Sequence, residues 1–333
     1  MNRHGTRREF LAASAAAGMG LLAAGRLEAA PFKTKLHKAM TAFGKPTDAK
    51  LAELKAAGFD GMEAPHNLTP DEARHARQTA EKLGLRIHSV LRGWMKFNDP
   101  AKVDADVEDF ARALATAQIL GGDTVLVVPC RIDVYTAGQL KAGNRPKGVL
   151  MPEAWEFDIE FDEKSGHVHR VVRGDNAPYR QYIEAQNQAT DMSRAAVKRL
   201  IPAAEKCGVI VALENVWNNL WVKPALAKNF IASFDNPWIQ SYFDIGNHVK
   251  FAPPQEWIHT LGKLIVKCHV KDFLLNADGH GGKFVHPRDG SINWPAVRQA
   301  LDDVGYNGWL SIEDSGLPLD EFNRRLDLIV AGK

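Results

Sequence analysis

The stretch Val209-Ile-Val-Ala-Leu-Glu-Asn-Val-Trp-Asn-Asn219 decides how this chain folds. A short β-branched run follows Gly208 and ends on Glu214, with amides and an indole just beyond. After a helical pattern, such a run predicts a buried parallel strand that presents a carboxylate at its C-terminal end. Three later stretches repeat the design. Gln240–Asp244 ends on Asp244, Leu264–His269 on His269 and Trp309–Glu313 on Glu313. Three acids gathered at one end of a sheet repel one another unless a cation lies between them. The four residues together point to a metal site.

Working outward, the pattern predicts strands at Leu36–Phe43, Phe59–Ala64, Leu85–Leu91 and Thr124–Val128 before the stretch at 209–214. Helical patterns separate them: Asp48–Ala57, a segment opened by the capping-box sequence Thr69-Pro-Asp-Glu72 and closed near Gly84, and Ala101–Leu120. Further helices are expected at Tyr182–Cys207, Pro224–Ser233, Pro254–Leu261, Trp294–Val304 and Leu319–Val330, with a Gly-rich loop at 276–290. Between about 130 and 180 the rhythm breaks. Phe157–Phe161 and Val168–Val172 alternate around Glu163-Lys-Ser-Gly166, a β-hairpin inserted after strand 4. Eight strands alternating with eight helices call for a parallel sheet. The 333 residues and the acid-bearing strand ends favour a (β/α)8 TIM barrel, whose site gathers at the C-terminal ends of the strands. No Gly-x-Gly-x-x-Gly follows the first strand, which weighs against a dinucleotide fold.

The first 30 residues stand apart. Thr6-Arg-Arg-Glu-Phe-Leu11 precedes thirteen small or apolar residues, Ala12–Ala24, the pattern of a twin-arginine export signal. The apolar run falls short of the about 20 residues a spanning helix needs, and no cysteine follows for a lipid anchor. The expectation is a periplasmic or secreted protein in which residues 31–333 form a single domain. Hydrophobic content of 45% with 25% charged residues is that of a globular chain. The three cysteines are too few and too scattered for a disulfide framework or a thiolate zinc site. Beyond residue 30 the charges balance, with 38 Lys+Arg against 38 Asp+Glu. Neutrality without a basic stripe argues against nucleic acid or an anionic membrane as partner, and the expected partner is a small molecule. A homo-oligomer is compatible with the sequence.

Glu214, Asp244, His269 and Glu313 form a mostly oxygen donor set suited to Mn²⁺ or Mg²⁺ and able to take Co²⁺ or Zn²⁺. A divalent ion on adjacent hydroxyl and carbonyl oxygens of a sugar acidifies the neighbouring C–H. Proton removal and return then need a base on each face, for which Glu214 and Glu313 are the natural pair. The segments Ala212-Leu-Glu-Asn, Tyr242-Phe-Asp-Ile-Gly-Asn, Lys267-Cys-His-Val-Lys-Asp, Asp289-Gly-Ser-Ile-Asn-Trp and Ser311-Ile-Glu resemble the sugar phosphate isomerase/epimerase family with the xylose isomerase-like barrel. The resemblance implies a single divalent metal held by Glu214, Asp244, His269 and Glu313, with the two glutamates as catalytic acid/base residues acting on a ketose or keto sugar. Two positions depart from the ketose 3-epimerases. Leu220 stands where those enzymes carry a second acid, and Leu275 where they carry an arginine.

Substrate contacts are expected from His248, Lys271, Asp272, Glu63, His88 and Trp217, with Trp94 and Trp221 as further stacking candidates. The leading expectation is a metal-dependent isomerase or epimerase of a carbohydrate. A lyase cleaving a 3-keto-glycoside after the same proton abstraction is a second, and a non-catalytic sugar-binding protein a third. A DNA-repair nuclease of the same architecture fits the neutral charge poorly.

Overall fold

Apolar, β-branched runs with polar ends pair side by side until the sheet closes on itself. In the computed structural model, which describes residues 32–41, 44–143 and 147–333, the ring comprises eight strands. They are β1 (His37–Thr41), β2 (Gly61–Pro65), β3 (Arg86–Trp94), β4 (Thr124–Val128), β5 (Ile210–Glu214), β6 (Ile239–Asp244), β7 (Ile265–Val270) and β8 (Trp309–Ile312). Each neighbours the next in sequence, β8 returns to β1, and every pairing is parallel. Helices α1 (Asp48–Ala56), α2 (Pro70–Lys82), α3 (Val103–Leu120), α4 (Arg180–Cys207), α5 (Pro224–Ala232), α6 (Pro254–Leu261), α7 (Trp294–Asp303) and α8 (Leu319–Val330) alternate with them. The architecture is a (β/α)8 barrel.

Local chemistry sets the element ends. Thr69 and Glu72 form the expected capping box at the start of α2, with Pro70 in its first turn. Gly208 ends α4 in the left-handed region at φ 64°, and the chain reverses there into β5. That reversal feeds the decisive stretch into the barrel wall with Glu214 at its top.

The barrel interior is divided. Leu126, Val128, Ala212 and Tyr242 make a small apolar cluster apart from the main core. Residues two apart on a strand share a face, so Glu214 and Asp244 lie above Ala212 and Tyr242. The opposite half is polar. Thr41 pairs with Glu63 across β1 and β2, and His269 with Ser311 across β7 and β8, all buried. An interior normally filled by branched apolar residues is here half given over to hydrogen-bonding groups.

Several expectations need correcting. β3 runs on to Trp94, and Glu313 sits one residue past the end of β8. The Gly-rich loop holds an antiparallel pair, Asp272–Leu275 with Gly282–Val285. In the insertion, Glu160–Phe161 pairs antiparallel with Val168–Arg170, and Val134–Tyr135 pairs parallel with Val149–Leu150. The first ladder is shorter than the alternation suggested because Phe157 and Val171 leave it to pack in the core. The twin-arginine segment and the end of the first predicted strand (residues 42–43) lie outside the described residues. Among the described residues, no helix is long and apolar enough to cross a membrane.

Candidate metal centre

The four residues singled out from the strand ends converge. Glu214, Asp244, His269 and Glu313 each offer a ligand atom, and those atoms all lie within 4.8 Å of one another. His269 Nδ1 is 2.7 Å from Glu313 Oε2, 3.2 Å from Glu214 Oε1 and 3.9 Å from Asp244 Oδ2. Asp244 and His269 are fully buried, Glu214 nearly so, and the Glu313 side chain is 23% exposed. The cluster therefore opens to solvent on the Glu313 side.

Backbone and amide groups hold these side chains in place. Asp244 Oδ1 accepts from the backbone N–H groups of Gly246 at 2.8 Å and Asn247 at 2.7 Å. Asn215 brackets the same aspartate, accepting from its N–H at 2.6 Å and donating to its carbonyl at 2.8 Å. Asn247 donates to the Asn215 carbonyl at 3.0 Å. Gly246 is required sterically, since a Cβ there would meet Lys271 Cβ at 2.7 Å. Asn215 and Asn247 were not among the sequence candidates, although both lie within the quoted motifs.

The donor chemistry fits a divalent cation. Asp244 Oδ2 and Glu313 Oε2 are buried in the cluster, where ion pairs rather than neutral donors meet them. The cation beside both is Lys271, whose Nζ lies 3.1 Å from Asp244 Oδ2 and 2.7 Å from Glu313 Oε2. Three carboxylates and one imidazole converging on one point match a hard or borderline divalent ion. Titration reflects the crowding. Burial pushes Glu214 up, against its hydrogen bond with His269 and helped by the Glu313 charge. Burial likewise raises Asp244, with Lys271 opposing. For Glu313 burial is outweighed by His269 and Lys271, which hold it low. His269 and Lys271 are held high by the surrounding acids despite burial.

Of the expected substrate contacts, Lys271 stands among the cluster carboxylates, and Glu63 touches the cluster through His269 Nε2 at 2.8 Å. Trp217 is half-buried at the rim, donating to the Asn247 carbonyl, with Lys250 Nζ 3.5 Å above its ring. The expected placements of Glu63 and of the rest need correction. Glu63 and His88 sit inside β2 and β3 rather than at their ends, and both are 0% exposed. His88 bonds Ser311 at 2.9 Å and stacks on Trp309 deep in the barrel. Asp272 is fully buried and gathers backbone N–H groups of Phe273, Arg288 and Gly290 and the Trp294 indole, which leaves no edge for a ligand. His248 is packed against Phe251 and Trp257 and bonds the Val216 carbonyl. Trp221 is a core residue stacked on Phe230, whereas Trp94 is exposed.

A family model described as xylose isomerase-like TIM barrel matches residues 51–327. An uncharacterized protein of Methanocaldococcus jannaschii is 24% identical over 137 residues, 39% of this chain and 45% of that protein, so the match spans under half of the relative. Among solved structures, a 3-keto-D-glucoside 4-epimerase from E. coli superposes with TM-score 0.63 at 16% identity, covering 89% of this chain and 100% of that one. A D-allulose 3-epimerase from Methylomonas sp. gives 0.62 at 17% identity, over 91% and 100%. At these identities the likeness to the solved structures is one of fold.

Proposed function

The chain belongs to the xylose isomerase-like TIM barrel family, and from that premise we propose a divalent-metal-dependent isomerase or epimerase of a sugar or keto sugar. The observation that carries this reading is the buried convergence of Glu214, Asp244, His269 and Glu313. The epimerases sharing the fold act, by their names, on a 3-keto-D-glucoside and on D-allulose, which supports a keto sugar as the substrate class.

A divalent cation at the cluster would supply Lewis acidity, stabilising charge that grows on a carbonyl oxygen as the neighbouring C–H proton leaves. The proton is carried by the chain's own residues. Glu214 and Glu313 come from β5 and from just beyond β8, so they approach a substrate from different sides, one taking the proton and the other returning it. Lys271 keeps Glu313 ionised and offers a positive charge to a substrate oxygen.

Wild-type protein loaded with Mn²⁺ in D₂O should place deuterium next to the carbonyl of a keto sugar. Glu214→Gln and Glu313→Gln should each slow that wash-in by about 10²–10⁴-fold, with metal content measured alongside. Exchange at the wild-type rate in both variants would sink the proposal. A second reading keeps the site and changes the outcome. Loss of the proton next to a 3-keto group is followed by cleavage of the glycosidic C–O bond, whose electron pair leaves with the aglycone and yields an enone. It is favoured by two exposed aromatics, Trp155 in the insertion and Phe284 in the hairpin after β7. Phe284 meets the Trp217 ring at 5.0 Å, which joins it to the rim of the site. Release of free aglycone marks this outcome.

A further inference from the structure

Glu63 is a carboxylate with no exposure to solvent, placed in the middle of β2. Burying such a group is costly unless it is paired and hydrogen-bonded. Its partners are specific. Oε2 lies 2.8 Å from His269 Nε2 and accepts from the Thr41 hydroxyl at 3.2 Å, while Oε1 accepts from the Ser89 hydroxyl at 3.2 Å. Thr41 and Ser89 come from β1 and β3, so the carboxylate is held from both neighbouring strands.

The consequence falls on His269. Both Glu63 oxygens accept from hydroxyls, Oε2 from Thr41 and Oε1 from Ser89, so the hydrogen of the His269 contact resides on Nε2. Nδ1 is then the nitrogen left for a divalent ion, which takes the place of its proton, and it is the one that faces Glu214, Asp244 and Glu313. Tyr242, with its ring centroid 4.5 Å from the imidazole, limits ring rotation. We infer that Glu63 is the positioning residue of the metal centre, fixing the tautomer and orientation of His269 so that Nδ1 serves as the ligand nitrogen. This rests on the metal reading above and replaces the substrate contact expected of Glu63. A carboxylate behind a ligand histidine raises its basicity, and losing such a partner typically costs 10–100-fold in metal affinity.

Calorimetric titration of metal-stripped protein with Co²⁺ tests the inference. Glu63→Gln, near-isosteric but uncharged, should bind Co²⁺ about 10–100-fold more weakly than wild type. Glu63→Asp, which retains the charge one methylene short, should fall between. Thermal melts of the stripped variants confirm that each is folded. Equal affinity in a folded Glu63→Gln protein would overturn this inference while leaving the metal centre standing. A wild-type protein that takes up no divalent ion would remove both. Histidine ¹⁵N NMR on the wild-type protein provides a readout that needs no variant. On adding Zn²⁺ the Nδ1 resonance of His269 should shift while Nε2 keeps its proton. A shift at Nε2 instead would overturn the assignment.

Discussion

Burial has turned His248 into a neutral packing group. Its Nε2 lies 3.0 Å from the Val216 carbonyl, and its Nδ1 is buried without a hydrogen-bond partner. Burial pushes the imidazole down to about 3, against the Val216 contact. The unfolded chain binds a proton at this histidine near pH 6.5, so below that pH the unfolded state holds more protons and stability falls as pH falls. The loss runs from about 6.5 down to about 3, where the native state would itself protonate. At pH 4.5 this one group costs about 2 kcal/mol relative to neutral pH. Urea unfolding at pH 7 and pH 4.5 should therefore show a smaller acid loss in His248→Asn, by about that amount. An unchanged loss would mean that the histidine is solvated. At this scale the sequence was legible where chemistry and position coincide. Glu214, Asp244, His269 and Glu313 each close an apolar run, and all four meet. Glu63 and His88 carry the same kind of signal, but the two-residue period of a strand tells which face a side chain takes, not its depth in the barrel.

Among elements, the segment after β7 was read least well. Its glycines and polar residues hid the pairing of Asp272–Leu275 with Gly282–Val285, because four-residue strands carry too little alternation to stand out. What organises the segment is one buried acid acting over a distance. Asp272 accepts from the N–H groups of Arg288 at 2.8 Å and Gly290 at 3.2 Å and from the Trp294 indole at 3.0 Å, which ties the hairpin to the start of α7. A Cβ at Gly290 would meet Asp272 Oδ1 at 2.1 Å, so the backbone there approaches as closely as only glycine allows. Asp272→Ala should destabilise the protein by about 3 kcal/mol, since several buried donors lose their acceptor together. Hydrogen exchange should accelerate over residues 286–294 and stay slow in β4 and β5. Acceleration spread evenly over the barrel would instead mean that Asp272 supports the whole fold. The barrel strands themselves were legible to within a few residues, because eight apolar runs spaced by helical patterns leave few other ways to bury them.

For the molecule as a whole, the cluster draws one side chain each from the ends of four adjoining staves, β5 to β8. The donor set exists only when those staves are in register, so a cation that binds it binds the folded state alone. Mass action then makes stability depend on the ion, by about 2.7 kcal/mol at a hundredfold excess over Kd. In a chain of this length that corresponds to a rise in Tm on the order of 5 °C. Without the ion, three acids share His269 and Lys271 as their counter-charges among the described residues. Protein melted after chelation should therefore unfold several degrees below the same protein in millimolar Mn²⁺. Asp244→Asn, which weakens the most buried acid of the set, should abolish most of the difference while leaving the chelated protein folded. Melting curves that coincide with and without Mn²⁺ would show that the barrel mouth grips no ion, and the acid/base chemistry assigned to Glu214 and Glu313 would lose its electrophile.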